Sequence, residues 1–349
     1  MIAPLLVIAR KFRPLPADYL FAALAALMVA SVVVNGRTTT DREYALLALS
    51  MAAYPAFRAV GHRFDLSRFS YVTAAIVLVG TLLTAWAVVY DRSGEYKPLV
   101  LGFGEGPTVF SLTWCFLVFA LVSIHLSSRQ WRLAGGLIAL PSFVFAAAMV
   151  RHPFIALALT LVATAKTGGR RQLAVAGVVC LSIVVGLAAR PAMSGKIIGL
   201  VVQNAQKPVV SCDTEDTFAI RIILTREALT LLPKVGLLGQ GIGTFAQQSC
   251  YKAEPHNVVL QAAVEVGVGA ALLLAAAFIL ALMSVAKRAR SEATASFVFA
   301  GLVFVGIEYL ISGSLTNSAL LFGFMGWAVG LPQNDGHETG GDLRPLAGP

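Results

Sequence analysis

The chain of 349 residues is 57% apolar and 13% charged, and its formal net charge is +9. Soluble globular domains are about half apolar and about a quarter charged, so this composition excludes an ordinary water-soluble protein and indicates lipid as the surrounding solvent. The basic balance suggests a nucleic-acid ligand only if the positive charges form one patch.

The apolar residues occur in blocks, and a bilayer-spanning helix needs about 20 mostly apolar residues. Two weaker blocks are Tyr44–Val60, which carries Arg58, and Pro153–Ala165, which is short. We count about ten spans and predict an all-α polytopic membrane protein, with residues 1–349 forming one membrane domain. The first span is expected to be an uncleaved anchor. The clear blocks are Tyr19–Val34, Phe69–Tyr90, Pro107–Leu126, Leu133–Val150, Leu173–Ala189, Val258–Ala286, Phe297–Ile311 and Leu315–Leu331.

The positive charges follow the predicted topology. With ten spans and the N-terminus inside, 15 Lys and Arg residues fall on the cytoplasmic side and 5 in the short outer loops. This asymmetry is typical of the positive-inside rule, and the opposite orientation inverts it. The basic charge therefore indicates topology, not nucleic-acid binding, with both termini in the cytoplasm. The outer five are Arg37, Arg42, Arg92, Lys97 and Arg151.

One connection, residues 190–256, is much longer than the others and lies on the periplasmic side in this topology. Long loops without structure of their own are uncommon unless they have a function. A helix is predicted over Thr217–Leu232, with Asp216 or Thr217 as its N-cap, ending before Pro233. The loop also holds Cys212 and Cys250, which an oxidising periplasm would allow to pair; two cysteines alone do not fix the geometry, so the pairing is left open. Residues 332–349 are predicted to be a disordered cytoplasmic tail.

Polar side chains concentrate at the outer face. Arg151 lies in a tight turn between two apolar stretches, Arg221 and Arg226 lie on the loop helix, and His256-Asn257 precede an apolar helix. Guanidinium groups match phosphate oxygens in a bidentate manner, although an arginine at a membrane surface often only reaches toward headgroups. His256 is the strongest single candidate, because imidazole can take a proton from an attacking hydroxyl near neutral pH.

Two further features of the sequence, a glycine-rich stretch and two glutamates in apolar blocks, need interpretation. The glycines between Gly236 and Gly243 superficially resemble a phosphate-binding loop, but they lack the Lys-Ser/Thr ending and follow no strand, which favours a tight backbone bend. Glu265 and Glu308 lie inside apolar stretches, where an ionisable side chain is a functional hypothesis by default. Glu265 is predicted on the same helix as His256, about two and a half turns further along.

These motifs together resemble the signature of the O-antigen ligase and polysaccharide polymerase family of bacterial membrane glycosyltransferases. That family has a glycine-rich stretch, a His-Asn pair and then an apolar helix with a Glu-Gly step. Arg221 and Arg151 fit the family's arginines on a periplasmic helix and at an outer turn, and Ser312–Leu331 resembles its final outer turn and last helix. The matching residues within Gly236–Leu280 are Gly239, Gly241, Gly243, Phe245, His256, Asn257, Glu265 and Gly267.

The chain departs from the family pattern in three ways. Val150 stands where a Ser or Thr usually precedes the arginine, the loop helix lacks the tryptophan that commonly follows the family's arginine, and the chain is short. These differences bear on how an acceptor is bound.

The resemblance implies a GT-C-like scaffold in the bacterial inner membrane. It further implies inverting transfer of a glycan from undecaprenyl diphosphate to a hydroxyl of a glycan or lipid A core acceptor, without metal or cofactor. Arg151 and Arg221 would hold the diphosphate, and His256 would orient or deprotonate the acceptor. The other residues that it implies as substrate-binding are Asn257, Glu254, Arg226, Gly241, Gly243 and Glu265.

Other functions remain open. A ligase of lipopolysaccharide synthesis and a polymerase of exopolysaccharide biosynthesis share these motifs, and a polymerase would have a chain-length regulator as a candidate partner. A transporter or flippase for lipid-linked sugars would have polar residues spread through several spans along a central path, whereas most spans here carry no ionisable group. A structural membrane protein would not need His256 and the arginines to converge.

Overall fold

The computed structural model describes residues 14–90, 105–148, 152–188, 212 and 217–331, which form helices joined by turns, without strands in those ranges. Arg151, most of the long loop before the predicted loop helix, and residues 332–349 lie outside the described residues. The helices are α1 Pro16–Asn35, α2 Asp41–Val60, α3 Leu66–Tyr90, α4 Glu105–Ile124, α5 Ser128–Ala147, α6 His152–Ala163, α7 Ala165–Ala188, α8 Thr217–Leu231, α9 Thr244–Gln248, α10 Val258–Glu265, α11 Val268–Ala286, α12 Ala293–Ser312 and α13 Ala319–Gly330.

The architecture is consistent with a helical membrane protein. Five helices in the described part of the chain are long and apolar enough to cross a membrane: α1, α3, α11, α12 and the segment of α7 from Gly169 to Gly186. Their outward faces are apolar, with Val29, Leu82 and Leu272 each at least 60% exposed. A helix in water would turn polar residues outward instead. Each predicted apolar block contains a helix, and the number that cross the bilayer stays a prediction.

The weak block Tyr44–Val60 forms α2, which packs closely against α13. A Cβ atom on Gly326 would lie 2.1 Å from the carbonyl oxygen of Tyr54, and one on Gly330 would lie 2.6 Å from that of Arg58. Small residues allow two helix backbones to approach closely, which is the main source of helix association in lipid. The glycines of the last helix therefore explain how a helix of modest hydropathy is held in the bundle.

Arg58, the charge that weakens this block, is compensated within the bundle. Its guanidinium forms an ion pair with Asp18 of α1 at 3.2 Å, and the Tyr54 hydroxyl donates to the same carboxylate at 2.8 Å. Because Asp18 is near the start of α1 and Arg58 near the end of α2, these two helices run antiparallel. A paired and hydrogen-bonded charge is tolerated where an isolated one would not be.

The two ends of the bundle differ in chemistry. At the aromatic end, Trp327 packs against Phe64 and Phe297, and its indole N–H donates to the carbonyl of Gly61 at 3.0 Å. The opposite end, called the polar end, is the one at which Asn35, His152, His256 and Ser312 lie. It contains the C-terminal ends of α1 and α12, the N-terminal end of α6 and the segment 217–267. The candidate site residues within the described ranges belong to this polar end.

The predicted single helix over Val258–Ala286 is wrong, because the chain breaks at Gly267 into α10 and α11. Gly267 has φ 113°, and a Cβ atom there would lie 2.0 Å from the carbonyl oxygen of Leu237. A neighbouring backbone thus occupies the space that a continuing helix with a side chain would need. Glu265 accordingly ends a short helix of its own and precedes the membrane-length helix α11.

The segment before α10 contains two helices where the sequence predicted one. The predicted loop helix is present as α8, and the short α9 follows it; Leu224, Phe245 and Val264 form a small separate core between α8, α9 and α10. Cys212 and Cys250 form a disulfide, with their Cα atoms 5.9 Å apart. The disulfide links Cys212, a few residues before α8, to Cys250 in the turn after α9.

We predict that Gly326→Ala destabilises the bundle by about 1–3 kcal/mol, because the added methyl group overlaps the α2 backbone. Thermal unfolding in one detergent measures the effect. Gly136→Ala in α5 is the matched control, since a Cβ atom there meets nothing within 4 Å, and its melting temperature should be unchanged or slightly raised. Equal melting temperatures for Gly326→Ala and wild type would contradict the close α2–α13 contact.

Candidate functional site

The glycine-rich stretch is a backbone clamp against the break between α10 and α11. The amide of Gln240 donates to the carbonyl of Val264 at 3.0 Å, and that of Gly241 donates to the carbonyl of Glu265 at 2.9 Å. Gly239 has φ 69°, and a Cβ atom on it would lie 2.3 Å from the carbonyl of Glu265. Only glycine permits this contact, because two backbones meet with no room for a side chain.

The glycine-rich stretch that forms this clamp is also hydrogen-bonded to the end of α1. The Ser31 hydroxyl donates to the carbonyl of Leu238 at 2.8 Å, and the Asn35 amide donates to the same oxygen at 3.2 Å. Polar side chains at the end of an apolar helix thus satisfy a loop carbonyl that would otherwise be buried without a partner.

Gly241 and Gly243, predicted as ligand-binding, face this same end of the bundle. A Cβ atom on Gly241 would lie 2.7 Å from Thr38, and one on Gly243 would lie 2.8 Å from Thr39. The open side of each glycine is therefore filled by the chain itself, and the geometry gives both residues a packing role.

Asn257 is the N-cap of α10. Its side-chain oxygen accepts from the amide of Leu260 at 2.9 Å, and its side-chain nitrogen donates to the carbonyl of Leu310 in α12 at 3.1 Å. Both ends of the amide are used to join the start of α10 to the end of α12. The structure therefore gives Asn257 a positioning role beside His256.

His256 has a positive φ of 54°, a conformation that few residues other than glycine adopt, although His, Asn and Asp adopt it more often than the rest. Such conformations persist only when the surroundings impose them, and they cluster at functional sites. Burial, Arg221 and His152 together lower the pKa of His256 to about 4. The imidazole is therefore neutral at pH 7 and able to accept a proton.

Arg221 and His152 are the two positive or potentially positive groups that act on His256. Arg221 comes from α8 and donates to the Ser312 hydroxyl at the end of α12 at 3.3 Å. His152 begins α6, and its Nε2 lies 3.0 Å from Oε1 of Glu308 in α12. Three separate helices and one loop thus bring two histidines, an arginine and a buried carboxyl group to one place.

A second polar cluster joins α10 to the turn between α12 and α13. Gln261 donates to Glu265 at 3.0 Å and accepts from the amide of Leu315 at 2.8 Å. Glu254 hydrogen-bonds to Gln261 and Ser314, and burial raises its pKa. Burial also raises the pKa of Glu265 to about 8, while the amides of Gly243 and Phe245 oppose that rise. Glu254 and Glu265, both predicted from the sequence as site residues, therefore lie in one cluster around the side chain of Gln261.

The structure does not bring every predicted site residue to His256. Arg226 is exposed on α8, and five residues of helix separate it from Arg221 by about 140° around the axis. Arg151 lies outside the described residues, directly before His152 in the chain. Of the predicted arginines, Arg221 alone is placed beside His256 within the described ranges.

Two residues of this group were absent from the predicted site, namely His152 and the carboxyl partner Glu308. Glu308 carried a signal, because it is an ionisable residue within an apolar helix. The only sequence feature that pointed to His152 was its position directly after Arg151. Their pairing could not be predicted, since α6 and α12 are far apart in sequence.

Among the described residues, one grouping has the spacing of a metal site: Cys212, Glu227 and Cys250. The two sulfur atoms are joined in the disulfide, so they are not thiolates that could bind a metal ion. The group around His256 offers instead a neutral imidazole, the Arg221 guanidinium, the His152 imidazole and buried carboxyl groups.

No family model matches the chain, and no curated protein sequence matches it. The resemblance to O-antigen ligases and polymerases therefore rests on the motifs alone.

We predict that Glu265→Gln stabilises the protein at alkaline pH. The folded-state pKa of Glu265 is about 8, against 4.5 for the free group, so its stabilising contribution is complete below about pH 4.5 and is lost as pH rises toward 8. Glutamine can keep the hydrogen bond to Gln261 and carries no charge. The gain at pH 9 should be on the order of a few kcal/mol, because each tenfold difference in proton affinity corresponds to about 1.4 kcal/mol.

Melting temperatures at pH 5 and pH 9 measure this difference. The variant and wild type should agree at pH 5, and the variant should melt at the higher temperature at pH 9. Glu292→Gln, at a partly exposed carboxylate paired with Arg288, is the control and should show no such gain. A melting-temperature difference between the Glu265→Gln variant and wild type that is the same at pH 5 and pH 9 would contradict ionisation of Glu265 as its cause.

Proposed function

We propose that this chain is a membrane glycosyltransferase of the O-antigen ligase and polymerase type. It transfers a glycan from undecaprenyl diphosphate to a sugar hydroxyl at the periplasmic face of the bacterial inner membrane. In this proposal the ten apolar helices cross the bilayer as a GT-C-like scaffold, and the polar end faces the periplasm. The observation that carries the proposal is the convergence of Arg221, His152 and a neutral His256 at that end.

The charge distribution supports a lipid-linked diphosphate as the donor. Arg221 and His152 both act on His256, so a guanidinium and a second imidazole meet it near the end of the apolar helices. A diphosphate is an anion that such a cluster would bind, and its lipid chain would lie along the apolar surface of the bundle. Arg151 precedes His152 and is expected to add to the same charge.

The state of His256 supports proton transfer from an acceptor. A histidine with pKa about 4 is unprotonated throughout the neutral range, so no proton must be removed before it can act as a base. Glu254, half-buried in the neighbouring cluster, provides a hydrogen-bonding surface of the kind that sugar hydroxyls use.

The reaction then runs as a direct displacement. The acceptor oxygen forms a bond to the anomeric carbon as its proton passes to His256. The bond from that carbon to the diphosphate oxygen breaks, and its electron pair stays on the diphosphate. Arg221 stabilises the charge that develops there, a role typically worth about a hundredfold or more in rate.

We predict that His256→Ala abolishes surface polysaccharide in a complemented deletion strain, because the acceptor proton has no base. Undecaprenyl-linked glycan should accumulate in the periplasmic leaflet while the protein level is unchanged. His125→Gln is the control, since this half-buried histidine lies between α4 and α5, away from the site, and it should leave the polymer intact.

Other outcomes separate the functions. Full polymer from the alanine variant would remove His256 from the mechanism. Accumulation of the lipid-linked glycan in the cytoplasmic leaflet would instead assign the protein to the flippases.

We predict that Arg221→Glu lowers the transfer rate by at least about a hundredfold, because it places a negative charge against the diphosphate. Arg221→Lys should retain more activity, since it keeps the charge but not the fork of donors. Transfer from a purified lipid-linked donor in detergent measures both. Lys234→Glu reverses an exposed charge just beyond α8 and serves as control; equal rates for Arg221→Glu and Lys234→Glu would refute the assigned role.

A further inference from the structure

Glu308 is a buried carboxyl group in an apolar helix. The residue is 1% exposed, and neither of its carboxyl oxygens has a hydrogen-bond partner among the described residues. A carboxyl group taken out of water without compensation is costly, and inside a membrane protein such a group is retained where it has a partner and a function. The compensation that the structure offers is the His152 imidazole, 3.0 Å from Oε1.

His152 connects this buried carboxyl group to the candidate site. Its side chain is 15% exposed, so it is sheltered but not enclosed. It is also one of the groups whose charge acts on His256. Groups that interact electrostatically with this pair or with its neighbour include His256 from the loop before α10, Arg221 from α8, and Tyr309, which follows Glu308 in α12. His152 therefore lies between the carboxyl group inside the bundle and the cluster at its polar end.

A packing role alone does not account for the pair. A buried ion pair is often no more stabilising than apolar residues of the same volume, whereas a pair with one partner removed is strongly destabilising. An apolar pair would hold α6 against α12 equally well. The histidine-carboxylate arrangement is, however, a common way to hold an imidazole in one orientation and to stabilise its protonated form.

We propose that His152 is a second catalytic histidine, which presents a positive charge to the departing diphosphate, and that Glu308 is its positioning residue. The proposal rests on the proposed function, because it assigns a role within the same transfer reaction. No proton or bond is exchanged at His152: the imidazolium stabilises the charge that develops on the diphosphate oxygen, alongside Arg221. The two histidines then have opposite tasks, His256 as the neutral base and His152 as the cation.

Initial-rate kinetics on the purified full chain test this, with a short glycan on undecaprenyl diphosphate as donor. His152→Gln should lower kcat by about a hundredfold, with a smaller change in KM, because the charge is needed most in the transition state. His152→Lys keeps a cation opposite Glu308 and should recover at least about tenfold of that loss. A purely structural histidine would be replaced no better by lysine than by glutamine.

Glu308 is tested by a double-mutant cycle. Glu308→Gln should lower kcat by about tenfold or more, and the double variant His152→Gln/Glu308→Gln should be no slower than His152→Gln, because residues that act as a unit give non-additive losses. Losses that multiply would overturn the pairing. If Glu308→Gln alone fails to fold, the double variant, which leaves no unbalanced buried charge, is compared with His152→Gln, and a slower double variant would overturn the pairing.

The outcomes distinguish this inference from the proposed function. His125→Gln is the matched control and should have the wild-type rate. Wild-type kcat in His152→Gln, with an active wild-type enzyme, would overturn the role of His152 and leave the glycosyltransferase proposal standing. No transfer by wild type from any undecaprenyl diphosphate-linked glycan would overturn the proposed function, and this role with it.

Discussion

The geometry of the polar end depends on one contact, the backbone clamp between Gly239 and the chain break at Gly267. The clamp lies at the break where α10 ends at Glu265 and α11 begins after Gly267, and it brings the loop after α8 against the end of α1. Helix-to-helix contacts in lipid are mostly apolar and permit sliding. Backbone hydrogen bonds and absent side chains permit no such freedom, so the position of α10, and with it that of His256, is fixed.

A second constraint is the way this protein places ionisable groups among apolar helices. Arg58 with Asp18, and His152 with Glu308, are each shared between two helices, so each pair joins elements that the apolar surface alone would not orient. The two pairs differ in surroundings. The Arg58–Asp18 pair is completed by the Tyr54 hydroxyl, as expected of a structural pair, whereas Glu308 retains an oxygen without a hydrogen-bond partner in the described chain. That difference singles out the second pair as a candidate for function.

The sequence predicted the helices well where hydropathy alone decides, and less well where neighbours decide. The block Phe69–Tyr90 lies within α3, which spans Leu66–Tyr90, and the loop helix begins at Thr217 as expected. The break at Gly267 was missed, because a glycine within a long apolar run is compatible with a continuous helix until another backbone is known to pack against it. Likewise the glycine pattern does not reveal that Thr38 and Thr39 lie against Gly241 and Gly243, and substrate binding by these glycines stays a prediction of the resemblance.

For the site, residue type predicted the candidates but not their relations. His256 stands out in the sequence by its position before an apolar helix, yet its lowered pKa follows from burial and from Arg221 and His152 on two other helices, whose proximity no local pattern shows. A lone imidazole in water has a pKa near about 6.5 and would be partly protonated in the acid part of the neutral range. Burial, together with a guanidinium and a second histidine nearby, lowers the pKa of His256 to about 4 and so removes that proton. The same neighbours would bind an anion, so in the proposed function the arrangement that keeps His256 unprotonated would also make its surroundings receptive to a diphosphate.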